Sequence, residues 1–254
     1  MQYIILDGQK RATHGFKDGV GAKTWSEVKD FDNIGLIVPQ PFIVLDFDTT
    51  SDAEIMLNIV EKLGLKCRIM KTTRGIHVWF RASEPWKCFK KTRLAIGIYS
   101  DCKSYGKNAY VKIKDSGVMR EWIRKTPTDQ IQEVPRWLYP VSNPSGKFDL
   151  KGMGDGDGRN QELFNYIVYL QTKGFSREEI KETLQVVNDH VFASPLSEYE
   201  LSTVCREESF KSEEWVEEQM REHGKRQTWR HNEFGDELIA AYNIITVNNQ
   251  LYVY

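Results

Sequence analysis

Phe42-Ile43-Val44-Leu45-Asp46-Phe47-Asp48-Thr49-Thr50 is the stretch on which the reading of this chain turns. Four apolar residues lead into an acid, an apolar residue and a second acid. Such a short apolar run reads as a buried strand. Side chains alternate faces along a strand, so Asp46 and Asp48 project from the same side. Two carboxylates this close repel each other unless a cation lies between them. Hard divalent ions such as Mg²⁺ take oxygen ligands, often one or two carboxylates together with substrate phosphates. The pattern therefore points to a metal site at a strand end. The alternative is a strand running into a polar turn, with Asp48 capping the next helix. Thr49, Thr50 or Ser51 is an N-cap candidate for a helix over 52–63, with Glu54 completing a capping box from Ser51. Capping needs only one of these residues and leaves the second acid unexplained.

The chain has 254 residues, enough for one large domain or two smaller ones. Hydrophobic content of 40% and charged content of 28% describe a soluble globular protein. No apolar run approaches the length of a membrane span, and the segment Met1–Asp7 lacks the basic leader of a signal peptide. The expected location is cytoplasmic, with no membrane partner. Cys67, Cys88, Cys102 and Cys205 show no C-x-x-C spacing and no histidine at a zinc-ligand interval. Reduced thiols and no structural zinc are expected.

The net charge of -1 hides an uneven distribution. Between Glu61 and Lys125, 17 Lys and Arg stand against 5 Asp and Glu, while acids crowd residues 198–222. A basic block in the same segment as paired acids suggests a polyanionic substrate.

Strands are expected at Tyr3–Leu6, Ile34–Val38, Cys67–Lys71 and Ile76–Arg81, with Gly64 ending the helix between. The loop Gly15–Gly21 lacks the P-loop pattern and reads as a surface loop. His77 stands just inside a strand, behind the basic turn Thr72-Thr73-Arg74-Gly75. An imidazole can donate hydrogen bonds to phosphate oxygens, and Gly75 would let a phosphate approach the backbone. Lys87, Lys90, Lys91 and Arg93 alternate with Trp86 and Phe89, a composition suited to single-stranded nucleic acid or to a solvated helix. Ile96–Lys103 reads as an apolar strand ending in Asp101, a third carboxylate candidate. Lys103 and Lys107 in the following turn are triphosphate-clamp candidates. Ala109–Lys114 reads as the return strand of a hairpin, and 118–125 as a short helix.

From about Gly158 the period becomes helical. Helices are expected around Leu163–Leu170, over Ser176–Asn188 with Ser176 and Glu179 as a capping box, and over Glu198–Glu207 after Pro195-Leu196-Ser197. Residues 211–230 read as an exposed helix or linker, and Asp236–Tyr242 as a helix. Ile244–Val247 and Gln250–Tyr254 read as a hairpin. An isolated hairpin is marginal in water, so a longer chain is expected. The domain reading is 1–140 catalytic, 141–157 linker, 158–210 helical, and 211–254 a charged linker opening a further module.

Asp46-x-Asp48, Gly75-x-His77 and Asp101 after an apolar run stand in that order. The set resembles the archaeo-eukaryotic primase superfamily, and within it the bifunctional primase-polymerase domains of phages and plasmids. The segments Gly158–Phe164, Gly174–Ile180 and Pro195–Leu201 look like the helical domain that follows such primases. Phe234–Tyr254 is similar to the lead-in of a viral-type replicative helicase. The zinc-binding insertion of some relatives is missing.

The resemblance implies an α+β fold, with an RRM-like catalytic domain of mixed or antiparallel sheets followed by a small helical bundle. It implies a DNA primase/polymerase acting on single-stranded DNA template with NTP or dNTP, linked to a helicase. It also implies Asp46, Asp48 and Asp101 as ligands for two Mg²⁺ or Mn²⁺ ions, and His77 with Gly75 beside the triphosphate. Arg74, Lys103 and Lys107 as phosphate contacts follow from charge and position.

Two other readings fit parts of the sequence. In a haloacid-dehalogenase-type phosphatase, Asp46 would be the nucleophile and Asp48 the general acid, with Asp155 and Asp157 as distal acids. In a non-catalytic replication-initiator module, the acids would be structural.

Overall fold

The computed structural model describes residues 1–141, 148–221, 245–247 and 250–252. The expected helix at 236–242 lies outside them. The fold is α+β, with two antiparallel sheets and several helices.

The six-stranded sheet is built on β3 (Phe42–Phe47). β3 lies between β5 (Ile76–Arg81) and β7 (Tyr99–Ser104), antiparallel to both. Outside β5 lie β4 (Arg68–Lys71) and then β10 (Trp122–Lys125); outside β7 lies β6 (Phe89–Arg93). Ile43, Val44, Leu45 and Phe47 are all fully buried, which accounts for an unbroken apolar run instead of an alternating one. Each such side chain contributes about 1.5–3 kcal/mol of burial free energy, so β3 is firmly held in register.

The second sheet has four strands in the order β1 (Tyr3–Ile5), β2 (Ile34–Ile37), β8 (Tyr110–Asp115) and β9 (Val118–Met119). It faces the six-stranded sheet across a cleft whose walls come from both. Between β1 and β2 lies the short helix α1 (Trp25–Val28).

Several local expectations change. The helix after β3, α2 (Thr50–Lys62), starts earlier than 52 and is capped by Thr49, whose Oγ1 accepts from the Asp52 amide at 3.2 Å. The Ser51–Glu54 capping box does not form there, because the chain turns into the helix directly from the end of β3. Gly64 follows at φ +61, the left-handed stop that favours glycine.

β8 does not return beside β7. Both edges of β7 are already occupied, by β3 and β6, so the chain crosses over and β8 pairs with β2. Gly106 at φ +66 and Asn108 at φ +51 make that exit turn. Residues 118–125 form strands, not a helix. Ser116 and Gly117 both take positive φ, giving a two-residue hairpin turn that matches strand twist and closes β8 onto β9. The 86–93 segment is also not a helix; it contributes the edge strand β6. The strand expected from Ile96 begins only at Tyr99, since Leu94–Ile98 form a tight turn with Gly97 at φ +90. Asp101 therefore lies inside β7, and Lys103 and Ser104 belong to the strand instead of the turn.

The helical part contains α3 (Arg159–Gln171), α4 (Arg177–His190) and α5 (Glu198–Val204). Capping boxes Ser176/Glu179 and Ser197/Glu200 open the last two, each worth about 1 kcal/mol. These helices share one continuous core with the sheets. Tyr166 donates from its hydroxyl to the Ala95 carbonyl at 2.7 Å. The Arg136 guanidinium stacks on Tyr139 at 4.4 Å and Phe175 at 4.2 Å and pairs with Glu179 at 3.4 Å. Of the stretch expected as a linker, Phe148 and Leu150 are buried in this core, and Lys151 pairs with buried Asp52 at 2.7 Å. Ile245–Val247 and Gln250–Tyr252 pair as the antiparallel strands β11 and β12.

Candidate active site

Strand register assembles the site. Directly opposite residues of antiparallel strands lie on the same face. Asp46 pairs with His77 on one side and with Asp101 on the other, so three residues distant in sequence form one row across β5, β3 and β7. This row faces the cleft between the sheets, a cavity of about 510 Å³.

Asp46 is the centre of the row. Its Oδ2 accepts from His77 Nε2 at 3.2 Å and lies 3.5 Å from the Lys103 ammonium. Its Oδ1 is buried and has no hydrogen-bond partner among the described residues. Burial pushes the Asp46 pKa up, but the His77 hydrogen bond and the His77 and Lys103 charges outweigh it and hold the carboxyl below its ordinary value. His77 is only 3% exposed, so it serves Asp46 first, although it also lines the cleft. Asp101 accepts from the Lys91 main-chain amide at 2.7 Å through Oδ1, while its Oδ2 lies 3.8 Å from Lys103 Nζ. The Lys103 ammonium thus stands between two carboxylates. Asp48, exposed just past the end of β3, lines the same cleft.

Other expected residues divide. Arg74 and Lys90 line the cleft, whereas Lys107, Lys87 and Gly75 do not. Lys91 reaches the site through its backbone, at a left-handed position with φ 45 where β6 bulges against β7. Arg93 is buried, with its guanidinium 5.5 Å from the Tyr166 ring, and so is withdrawn from any surface that could meet nucleic acid. Gly75 has a structural reason for being glycine. A Cβ there would stand 1.7 Å from the Phe47 carbonyl oxygen, so the turn carrying Arg74 lies directly against the β3 end that carries Asp48.

The opposite wall supplies residues that sequence reasoning missed: Lys10, Asn108, Tyr110, Lys112 and Arg120. Tyr110 and Lys112 follow the alternation of β8, so that signal was present once the strand's sheet is known. Burial lowers the Arg120 pKa, while the carboxylates of Asp115, Asp46 and Asp48 work against it. Arg120 therefore senses the aspartates across the cleft, and as a guanidinium it stays charged.

The oxygen set of Asp46, Asp48 and Asp101 suits a hard divalent cation, and the unpartnered Asp46 Oδ1 is a ready ligand atom. As they stand, no three His, Cys, Asp or Glu side chains among the described residues close on one point. Lys103 is the cation now placed between Asp46 and Asp101.

Asp155 and Asp157 are not in the cleft. Asp155 pairs with Arg159, and Asp157 accepts from the Gly154 amide at 2.7 Å, so the distal acids of the phosphatase reading are missing.

Residues 6–137, just over half of the chain, match the family model for the N-terminal domain of bifunctional DNA primase/polymerases. The chain belongs to that family. Membership points to a DNA primase/polymerase-type nucleotidyltransferase, and the matched segment contains the whole Asp46–His77–Asp101 row. Comparison with curated proteins found no match. No helix among the described residues is long and apolar enough to cross a membrane.

Proposed function

We propose that the chain is a template-dependent primase/polymerase that adds nucleotides from NTP or dNTP to a 3′-hydroxyl on single-stranded DNA. The observation carrying this reading is the single row of Asp101, Asp46 and His77 at the floor of a cleft whose other wall is cationic. Asp46, Asp48 and Asp101 would hold two Mg²⁺ or Mn²⁺ ions. Such a pair activates the attacking oxygen and stabilises the leaving pyrophosphate.

The remaining work belongs to the protein's own side chains. His77 fixes the Asp46 carboxylate by donating to Oδ2, leaving Oδ1 free. Lys103 has a flexible four-carbon stem that lets its ammonium exchange carboxylates for triphosphate oxygens. Lys10 and Arg120 add positive charge on the facing wall, where Lys112 is paired with Asp115, and Arg74 and Lys90 do so at the cleft margin. Tetraanionic triphosphate is attracted into such a low-dielectric cleft more strongly than to open surface. A role in phage or plasmid replication, in a cytoplasmic setting and beside a replicative helicase, fits the helical segment and the charged stretch that follow the family-matched region.

The test is primed and unprimed synthesis on single-stranded DNA with each nucleotide pool, in Mg²⁺ or Mn²⁺. Asp46→Asn with Asp48→Asn should lower incorporation at least about 100-fold, the scale of losing a principal electrostatic stabiliser. Full retention of synthesis would leave the acids structural and favour a DNA-binding module. Hydrolysis of para-nitrophenyl phosphate without nucleotide incorporation would favour a phosphatase.

A further inference from the structure

A second cavity of about 510 Å³ opens between the same two sheets. Five aromatic side chains line it: Tyr3, Trp25, Phe42, Trp79 and Trp122. Trp79 and Trp122 lie 5.7 Å apart, and Tyr3 and Trp25 5.4 Å apart. Trp25 is 41% exposed, so the cluster is open to solvent on that side. Trp79 is 4% exposed and packs its indole into the cavity wall. Arg68 also lines the cavity, held by the Thr126 carbonyl at 2.7 Å and Thr128 Oγ1 at 2.8 Å, and exposed Lys125 stands with it.

The cavity lies in line with the acidic row. Trp122 pairs with Met70, Met70 with His77, and His77 with Asp46. Trp122 is therefore three strand spacings from Asp46, about 14 Å at the usual interstrand distance. That span is about four stacked nucleotides at 3.4 Å each. Flat apolar faces and two cations together match one class of ligand: a base of a single nucleic-acid strand, stacked on the rings with its phosphates beside Arg68 and Lys125.

We propose that this aromatic cavity is a stacking site for a base of single-stranded DNA, several nucleotides away from the acidic row. The assignment rests on the polymerase reading only in naming the strand as template. The base stacks on the indoles, and the cations hold the adjoining phosphates.

The test is anisotropy of a fluorescein-labelled oligo-dT with the full chain, without divalent metal or nucleotide. Trp25→Ala changes a partly exposed ring, and Trp122→Ala changes the ring on the edge strand. Each should weaken binding roughly 5- to 150-fold, the contribution of stacking one base. With wild-type protein, an oligonucleotide carrying abasic sites throughout should weaken by a similar factor, and it should bind the Trp25→Ala protein no more weakly than it binds wild type. Variants that bind oligo-dT as tightly as wild type would overturn the proposal. So would variants that lose intact and abasic strands equally, since charge or folding would then explain the loss. Binding is read without chemistry. Failure here with synthesis intact removes only the stacking site, while stacking without synthesis removes only the polymerase reading.

Discussion

Lys103→Met is the most informative single substitution in the acidic row. The ammonium stands 3.5 Å from Asp46 and 3.8 Å from Asp101. At these distances each attraction is about 1 kcal/mol in bulk water and about 4–5 kcal/mol at an effective dielectric constant of about 20. The side chain is 27% exposed, which places it between those limits and argues for a discounted value of about 1–2 kcal/mol per carboxylate. Removing the charge leaves two aspartates side by side on adjacent strands with one cation fewer. In EDTA, Lys103→Met should therefore lose about 2–4 kcal/mol of stability in urea denaturation. The same loss removes a competitor for divalent metal. Mn²⁺ should then bind the variant about 30- to 700-fold more tightly, because each 1.4 kcal/mol is a factor of ten. Thermal melting against a MnCl₂ series reads this directly, since a ligand of the native state raises Tm as its concentration passes Kd. The variant should be the less stable protein in EDTA and should gain more from Mn²⁺. Equal Mn²⁺ shifts in the two proteins would refute the reasoning, because Lys103 would not then occupy the place a metal takes.

Two further outcomes follow from the same geometry. Gly75→Ala should cost at least about 1–3 kcal/mol, the usual scale of overpacking, because the new Cβ meets a main-chain oxygen at 1.7 Å that cannot swing aside; a urea midpoint within error of wild type would show that the turn yields easily. For pH, the Asp46 pKa is depressed below its ordinary 3.8, so the unfolded chain binds the extra proton first and stability rises with pH across that window. Asp46's contribution is complete above 3.8 and is lost as pH falls through its folded value, so wild type should lose stability more steeply than Asp46→Asn below that point, and coincident urea midpoints from about pH 5 to about pH 2 would contradict it.

Local chemistry made much of this architecture legible in the sequence. The buried runs of β3 and β5 and the Ser-x-x-Glu boxes of α4 and α5 each carry their structure in adjacent residues. Pairing across the sheet is not written locally. Ala109–Lys114 has the pattern of a return strand, but only the occupancy of both β7 edges decides that it leaves for the other sheet. That one unreadable choice hid Tyr110, Lys112 and Arg120 from the list of cleft residues. Lys103 looked like a free clamp for phosphate because its place between Asp46 and Asp101 depends on register. Arg93 looked like part of a basic surface, yet the β6 bulge at Lys91 lies just before it and its side chain is buried against Tyr166. In the sequence Gly75 reads as room for a phosphate, whereas the group that approaches it is Phe47 of its own chain.

The arrangement has a consequence for how the site can fail. Asp46, His77 and Asp101 meet only because β5 and β7 both pair with β3 in one register. Side chains alternate with period two, so a slip of one residue on either flank would turn His77 or Asp101 to the opposite face, into the core beneath. The acids repel each other, and their contacts with His77 and Lys103 oppose a slip. Further restraint comes from Ile43, Val44, Leu45 and Phe47, all fully buried, and from Val78 and Phe80 on β5, equally inaccessible. The apolar residues between the aspartates' neighbours are thus what hold mutually repelling carboxylates together. They leave the charge itself to be neutralised by whatever cation enters, Lys103 in the protein alone and a divalent ion in the proposed reaction.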